Sequence, residues 1–203
     1  NSCTAVDQVV ITVNPLPIID AGNDTTICIG TPIVIGGNPT GPAGSSYLWT
    51  PNVSLNDDTL ANPTATPLVT TTYIVTVTDT NGCINVDSVT ITVNPLPTIT
   101  SSSDTSLCVG DCYQLNATGG ISYVWTPSTG LSNDTIANPI ACPTNTTTYI
   151  VTGTDINGCF DTSSTTITVN SLPIITVSSD TSVCIGTCAQ LIATGGTGNS
   201  WSP

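Results

Sequence analysis

The chain has 203 residues and a formal net charge of −13: its 13 acidic side chains are all aspartate, and Lys, Arg, His, Glu and Met are absent. General acid–base chemistry near neutral pH leans on His, or on Lys and Glu tuned by their neighbours, so an enzyme is not expected and no cofactor is implied. A polyanion without one basic group is repelled by phosphate backbones and anionic headgroups, which excludes nucleic acid and membrane surfaces as expected partners, and no apolar run approaches the roughly 20 residues that insert across a bilayer.

From the N-terminus, residues 1–15 read as the last strand of one copy of a repeat. Asn14-Pro15-Leu16-Pro17 returns as Asn94-Pro95-Leu96-Pro97 and as Asn170-Ser171-Leu172-Pro173. Trp49, Trp125 and Trp201 are spaced by 76. Cys3, Cys83 and Cys159 recur at 80 and then 76, as do Cys28, Cys108 and Cys184. A fixed period of this kind marks an array of small units. The first full copy is longer because of a Gly/Pro-rich loop insertion around Asn38-Pro39-Thr40-Gly41-Pro42. On this period 16–95 and 96–171 are complete repeats and 172–203 is the first part of a following one. Both ends are expected to fall inside domains of a longer array.

Within a copy the elements read as β throughout. Ile33-Val34-Ile35, Tyr47-Leu48-Trp49 and the segment Tyr113 to Ala117 are short strand candidates between Gly, Pro and Asn-Asp breaks. Thr72 to Asp79 alternates, with Tyr73, Val75 and Val77 on one face, the period of a half-buried strand; Val89, Ile91 and Val93 repeat it. Between them Asp79-Thr80-Asn81-Gly82, matched by Asp155-Ile156-Asn157-Gly158, supplies the Asn-Gly of a tight hairpin. About seven strands in under 80 residues predict a small sandwich. One Trp on the third strand and a Tyr at the start of the sixth (Tyr73, Tyr149) point to tandem immunoglobulin-like β-sandwich domains, an all-β fold. Val75 and Val151 stand where antibody domains have their second Cys, so the antibody bridge is not expected.

The ordered motifs Asp-Thr-(Thr/Ser)-x-Cys-x-Gly, Tyr-x-Trp-(Thr/Ser)-Pro, Ala-Asn-Pro-x-Ala, Thr-Thr-Tyr-x-Val-Thr and Asn-Gly-Cys resemble the PKD-like (polycystic-kidney-disease-type) immunoglobulin repeats of very large Bacteroidetes surface proteins. The resemblance implies export to the cell surface by the type IX route and a place in gliding adhesins, filaments or stalks. It also implies an O-glycosylation signal, Asp followed by Thr or Ser, with Thr25, Thr59, Ser88 and Thr135 as the acceptor hydroxyls.

Nine cysteines in so polar a chain imply an oxidising, extracellular compartment. Cys112 and Cys142 occur only in the second copy, where they replace Pro32 and Thr66 of the first; at the start of the second strand and the end of the fifth they are expected to pair. For the recurrent cysteines two schemes stay open: Cys28–Cys83 with Cys108–Cys159 inside each copy, or Cys28–Cys159 between copies. The spacings Cys108-x-x-x-Cys112 and Cys184-x-x-x-Cys188 lack any His and do not predict zinc.

Adjacent Asp57 and Asp58 point to opposite faces of a strand and form no catalytic pair. Calcium at a domain junction would draw on Asp20 or Asp24 with Asp79 or Asp87, although Thr100 and Ser163 replace Asp20 and Asp87 in the next copy. The function expected is a structural stalk or filament segment of an adhesin. Its partners would be neighbouring repeats of one long chain, lateral self-association, and surface glycans or other cells met through an unseen tip. The alternative is a spacer or glycan-binding module of a secreted enzyme, which should expose clustered aromatics.

Overall fold

The computed structural model describes Cys3, residues 5–196, Gly198, Ser200 and Trp201, and among these every regular element is a strand. The chain divides into two compact units, Asn1–Pro97 with Asp155–Cys159, and Thr98–Thr154 with Phe160–Pro203.

In the first unit β1 (Thr25–Cys28), β2 (Ile33–Val34), β3 (Ser46–Thr50), β4 (Thr64–Ala65), β5 (Thr71–Thr78) and β6 (Ile84–Asn94) make two sheets, β1-β6-β5-β3 and β2-β4. The expected alternation is present: Tyr73, Val75 and Val77 are fully buried while Ile74 is 44% exposed. They pack with Trp49, Val89 and Ile91 of the large sheet and with Ile35 and Ala65 from the β2 and β4 side. Each large buried apolar side chain contributes about 2–3 kcal/mol to holding the layers together. The β5–β6 hairpin closes through Asp79, whose Oδ1 accepts the N–H of Asn81 and of Cys83, both at 2.8 Å. Gly82 supplies φ = +80°, a conformation that a side chain would strain. β1 runs parallel to the far end of β6, with Cys28 opposite Asn94.

The second unit repeats the plan. It contains β7 (Thr100–Ser101), β8 (Thr105–Cys108), β9 (Tyr113–Gln114), β10 (Ala117–Thr118), β11 (Ser122–Thr126), β12 (Ile140–Ala141), β13 (Thr147–Thr154) and β14 (Phe160–Asn170). The large sheet is β11-β13-β14-β8, accompanied by β9-β12 and β7-β10. The sequence pattern reads Tyr113 to Ala117 as one strand, whereas the structure divides it. Leu115 and Ala117 donate along one edge to Pro139 and Ala137, while on the other edge the Asn116 carbonyl accepts from Ser102, so the segment is bonded on both sides. Bonding to two neighbours satisfies both backbone edges of a short segment, and alternation in side-chain polarity does not reveal it. Beyond these strands, β15 (Thr176–Val177) and β16 (Ala193–Thr194) pair antiparallel.

The two cores reach equal burial by different side chains. Gly153 stands where the first unit has Val77, and a Cβ there would lie 2.4 Å from Cδ1 of Ile99, which fills the room. In the first unit Val77 itself is fully buried, and the inserted loop packs nearby: Thr40 is 1% exposed, and its Oγ1 donates to the Ala61 carbonyl at 2.8 Å. The insertion is therefore a core element as well as a loop.

Residues 5–14, the counterpart of β6, have no strand partner among the described residues. Val9 and Ile11 are 85% and 80% exposed, while their equivalents Val89 and Ile91 are buried. The expected last strand is thus not formed here. A strand of this kind is made by neighbours that bond both its edges, and its own alternating sequence does not supply them.

Candidate functional site

The residues with distinctive chemistry are the cysteines at strand ends. Cys112 precedes β9 and Cys142 follows β12, whose register sets Tyr113 opposite Ala141. This brings the two Cα atoms to 4.3 Å, and a disulfide joins them.

For the recurrent cysteines the structure has Cys28 bonded to Cys159, with Cα atoms 5.5 Å apart and a sequence separation of 131. The scheme inside each copy, Cys28–Cys83 and Cys108–Cys159, is not formed; Cys83 and Cys108 carry free thiols. The reason is strand length. Cys83 sits in the turn before β6 and Cys28 lies opposite Asn94 at its other end. Ten residue steps separate these ends by about 33 Å, against the roughly 7 Å that a disulfide tolerates. Cys159, by contrast, lies in the Asp155–Cys159 turn that belongs to the first compact unit, and it is fully buried.

The buried aromatic residues are structural. Trp49 and Trp125 are buried, and each indole Nε1 donates to a carbonyl of the following loop, Leu60 at 2.9 Å and Ile136 at 3.0 Å. Tyr73 and Tyr149 are fully buried, with hydroxyls on Ser54 at 2.7 Å and on the Thr129 carbonyl at 3.0 Å. Burial pushes the Tyr149 phenol above its ordinary value of 10.0. Because the folded state holds this proton more tightly, the associated stability is complete below pH 10.0 and is lost as the pH rises above it. Tyr149→Phe is expected to cost about 1 kcal/mol at neutral pH through the lost hydrogen bond and to flatten part of the alkaline decline. Urea midpoints measured across the alkaline range check both effects.

The aspartates act on the backbone. Asp24 and Asp104 accept the N–H of Thr90 at 2.7 Å and of Thr166 at 2.8 Å, fastening the lead-in to β1 and β8 onto the last strand of each unit. The recurrence of this Asp before Thr is the sequence signal of this fastening. Asp20 accepts from Gly22 and Asp87 from Ala21, each at 2.8 Å, while Asp79 and Asp155 organise the turns. The oxygens considered for calcium thus hold N–H groups, and no metal-holding cluster of three acids or thiols occurs among the described residues. The hydroxyl of Thr59 and then its N–H hold the exposed Asp57 carboxyl below its ordinary value of 3.8. Asp58 is engaged separately, by Asn52. An apolar groove between Pro51, Val53, Pro67, Leu68 and Thr71 has no acid or thiol in its lining.

No family model and no curated protein matches the chain. Among solved structures it is similar to the Ig1–Ig2 pair of DIP-gamma, at 13% identity over 76% of this chain and 98% of that one, with a TM-score of 0.34. It is likewise similar to the insect immune protein hemolin, at 16% identity over 77% and 47% of the chains, with a TM-score of 0.36. The titin Z1Z2 domains in complex with telethonin give 13% identity, 79% and 100% coverage and a TM-score of 0.33. Superpositions this loose add nothing to what the strand order and core establish: the chain is an all-β tandem of immunoglobulin-like sandwiches, reinforced by disulfides.

Proposed function

We propose that this chain is a load-bearing segment of an extracellular, cell-surface stalk or filament of the Bacteroidetes adhesin type, with no catalytic role. The observation that carries the reading is the Cys28–Cys159 bridge. Tension applied at the two ends of the polypeptide passes through this covalent link and bypasses the residues between, including most of both large sheets. The bypassed segment therefore cannot be extended while the bridge holds, whatever the load on the strands outside it. Aspartate-only charge with no Lys or Arg suits an exposed rod, since it denies trypsin-like proteases a cleavage site. The reading as a glycan-binding module finds no support in Trp49 and Trp125, which are in the cores.

Pulling the ends of the chain in single-molecule force spectroscopy tests the proposal. With the bridge intact the 131-residue span should add no contour length, and reductant should release about 450 Å. Release of that length without reductant would overturn the reading. Glycans belong to the same proposal. Thr59, Ser88 and Thr135 are exposed and Thr25 is half-buried, and sugars there would guard sheet edges that have no Lys. Fragmentation of native material should find hexose-type additions on Thr59 or Thr135, and bare hydroxyls at all four positions would remove this part.

A further inference from the structure

We infer that Cys108 and Cys83 are the two open ends of a continuing disulfide ladder. Cys108 would bond the turn cysteine of another repeat, and Cys83 would bond the strand-end cysteine of another repeat, in the geometry of Cys28–Cys159.

The inference rests on matched surroundings. Cys28 closes β1 opposite Asn94; the following N–H, that of Ile29, bonds the Asn94 carbonyl at 2.9 Å, and Thr31 N–H bonds the Cys28 carbonyl at 3.0 Å. Cys108 closes β8 opposite Asn170, with Val109 N–H on the Asn170 carbonyl at 2.9 Å and Asp111 N–H on the Cys108 carbonyl at 3.0 Å. The backbone that presents the bonded sulfur of Cys28 thus presents an exposed thiol at Cys108. The turn side is matched as closely. Cys159 N–H and Cys83 N–H each reach Oδ1 of the turn aspartate at 2.8 Å, and the carbonyls of both cysteines accept the N–H of that aspartate.

A further observation points to the missing partner of Cys83. Its Sγ lies 3.9 Å from the carbonyl of Asn14. Asn14 is the periodic equivalent of Asn94, the residue beside which Cys28 is held. A strand pairing with residues 11–14 as β1 pairs with Ile91–Asn94 would deliver its terminal cysteine to Cys83. Residues 9–13 already expose the apolar side chains such a pairing would cover.

Each bond forms by loss of two thiol protons and two electrons, which reduce one glutathione disulfide or equivalent disulfide carrier to two thiols. The partner chemistry is the same whether the repeat comes from a second copy of this chain or from an adjoining stretch of the same polypeptide. The ladder rests on the repeat organisation behind the proposed function, yet it is tested separately from the mechanical role.

Mixed 14N- and 15N-labelled chains, folded together in a glutathione redox buffer, and native protein isolated without reductant are mapped by non-reducing peptide mass spectrometry. The expected result is Cys108 joined to a peptide containing an Asn-Gly-Cys turn. Hybrid-mass cross-links between Cys108 and Cys83 identify a second copy, and a turn peptide from outside these residues identifies an adjoining repeat. Cys108→Ser should abolish the cross-link in both preparations and Cys83→Ser only the hybrid-mass link between copies, while Cys28–Cys159 still forms. Cys108 that stays alkylatable in both preparations, or pairs with a cysteine outside such a turn, overturns the ladder. In that event an unchanged force response across Cys28–Cys159 would leave the load-bearing reading standing, whereas a failed force response with the ladder present would remove only that reading.

Discussion

Replacing Trp125 by Ala is expected to destabilise the second unit by about 3–5 kcal/mol and to lower its urea midpoint accordingly. The indole is 1% exposed, and truncating a buried Trp costs about 3–5 kcal/mol through lost transfer energy and the cavity left behind. The Ile136 carbonyl also loses its Nε1 donor. That is a large share of what a small domain has, because small folds bury a modest share of their surface and total stabilities lie around 5–15 kcal/mol. Circular dichroism against urea, with Trp49 fluorescence reporting the first unit of the same chain, separates the two transitions. A second unit that still unfolds cooperatively at the wild-type midpoint would show that the indole does not anchor its core.

Removing the Cys112–Cys142 bridge is expected to have the next largest effect. It closes a 30-residue loop, and in the chain-entropy account such a loop restricts the unfolded state by about 3–4 kcal/mol. The Cys112→Ala/Cys142→Ala pair is preferable to chemical reduction, which would also open Cys28–Cys159. The loss should be confined to the second unit. At the equivalent positions the first unit carries Pro32 and Thr66 and still pairs β2 with β4, so the ladder itself does not depend on the bridge. Urea midpoints for both units in the double variant check this. A shift of the second unit's midpoint worth less than about 1 kcal/mol would mean that the unfolded chain is compact without the link.

The division between what was legible and what was not follows the range of the interactions. Period-2 patterning of Tyr73, Val75 and Val77, the Asn-Gly turn with its leading aspartate, and the recurrence of Trp and Cys are local or periodic signals, and together they determined an all-β tandem array of immunoglobulin-like sandwiches. The Cys112–Cys142 position was also legible, because adjacency of two strands at one end follows from topology alone.

The tertiary structure decided the rest, wherever the outcome depends on residues far apart in sequence. The choice of Cys159 as partner of Cys28 required the length of β6 and the parallel placement of β1 at its far end. The exchange of Val77 for Gly153 required knowing that Ile99 occupies the room beside Gly153 in the second core. The silence of residues 5–14 has the same cause: their alternating sequence is that of β6, but the hydrogen bonds that make a strand come from its neighbours.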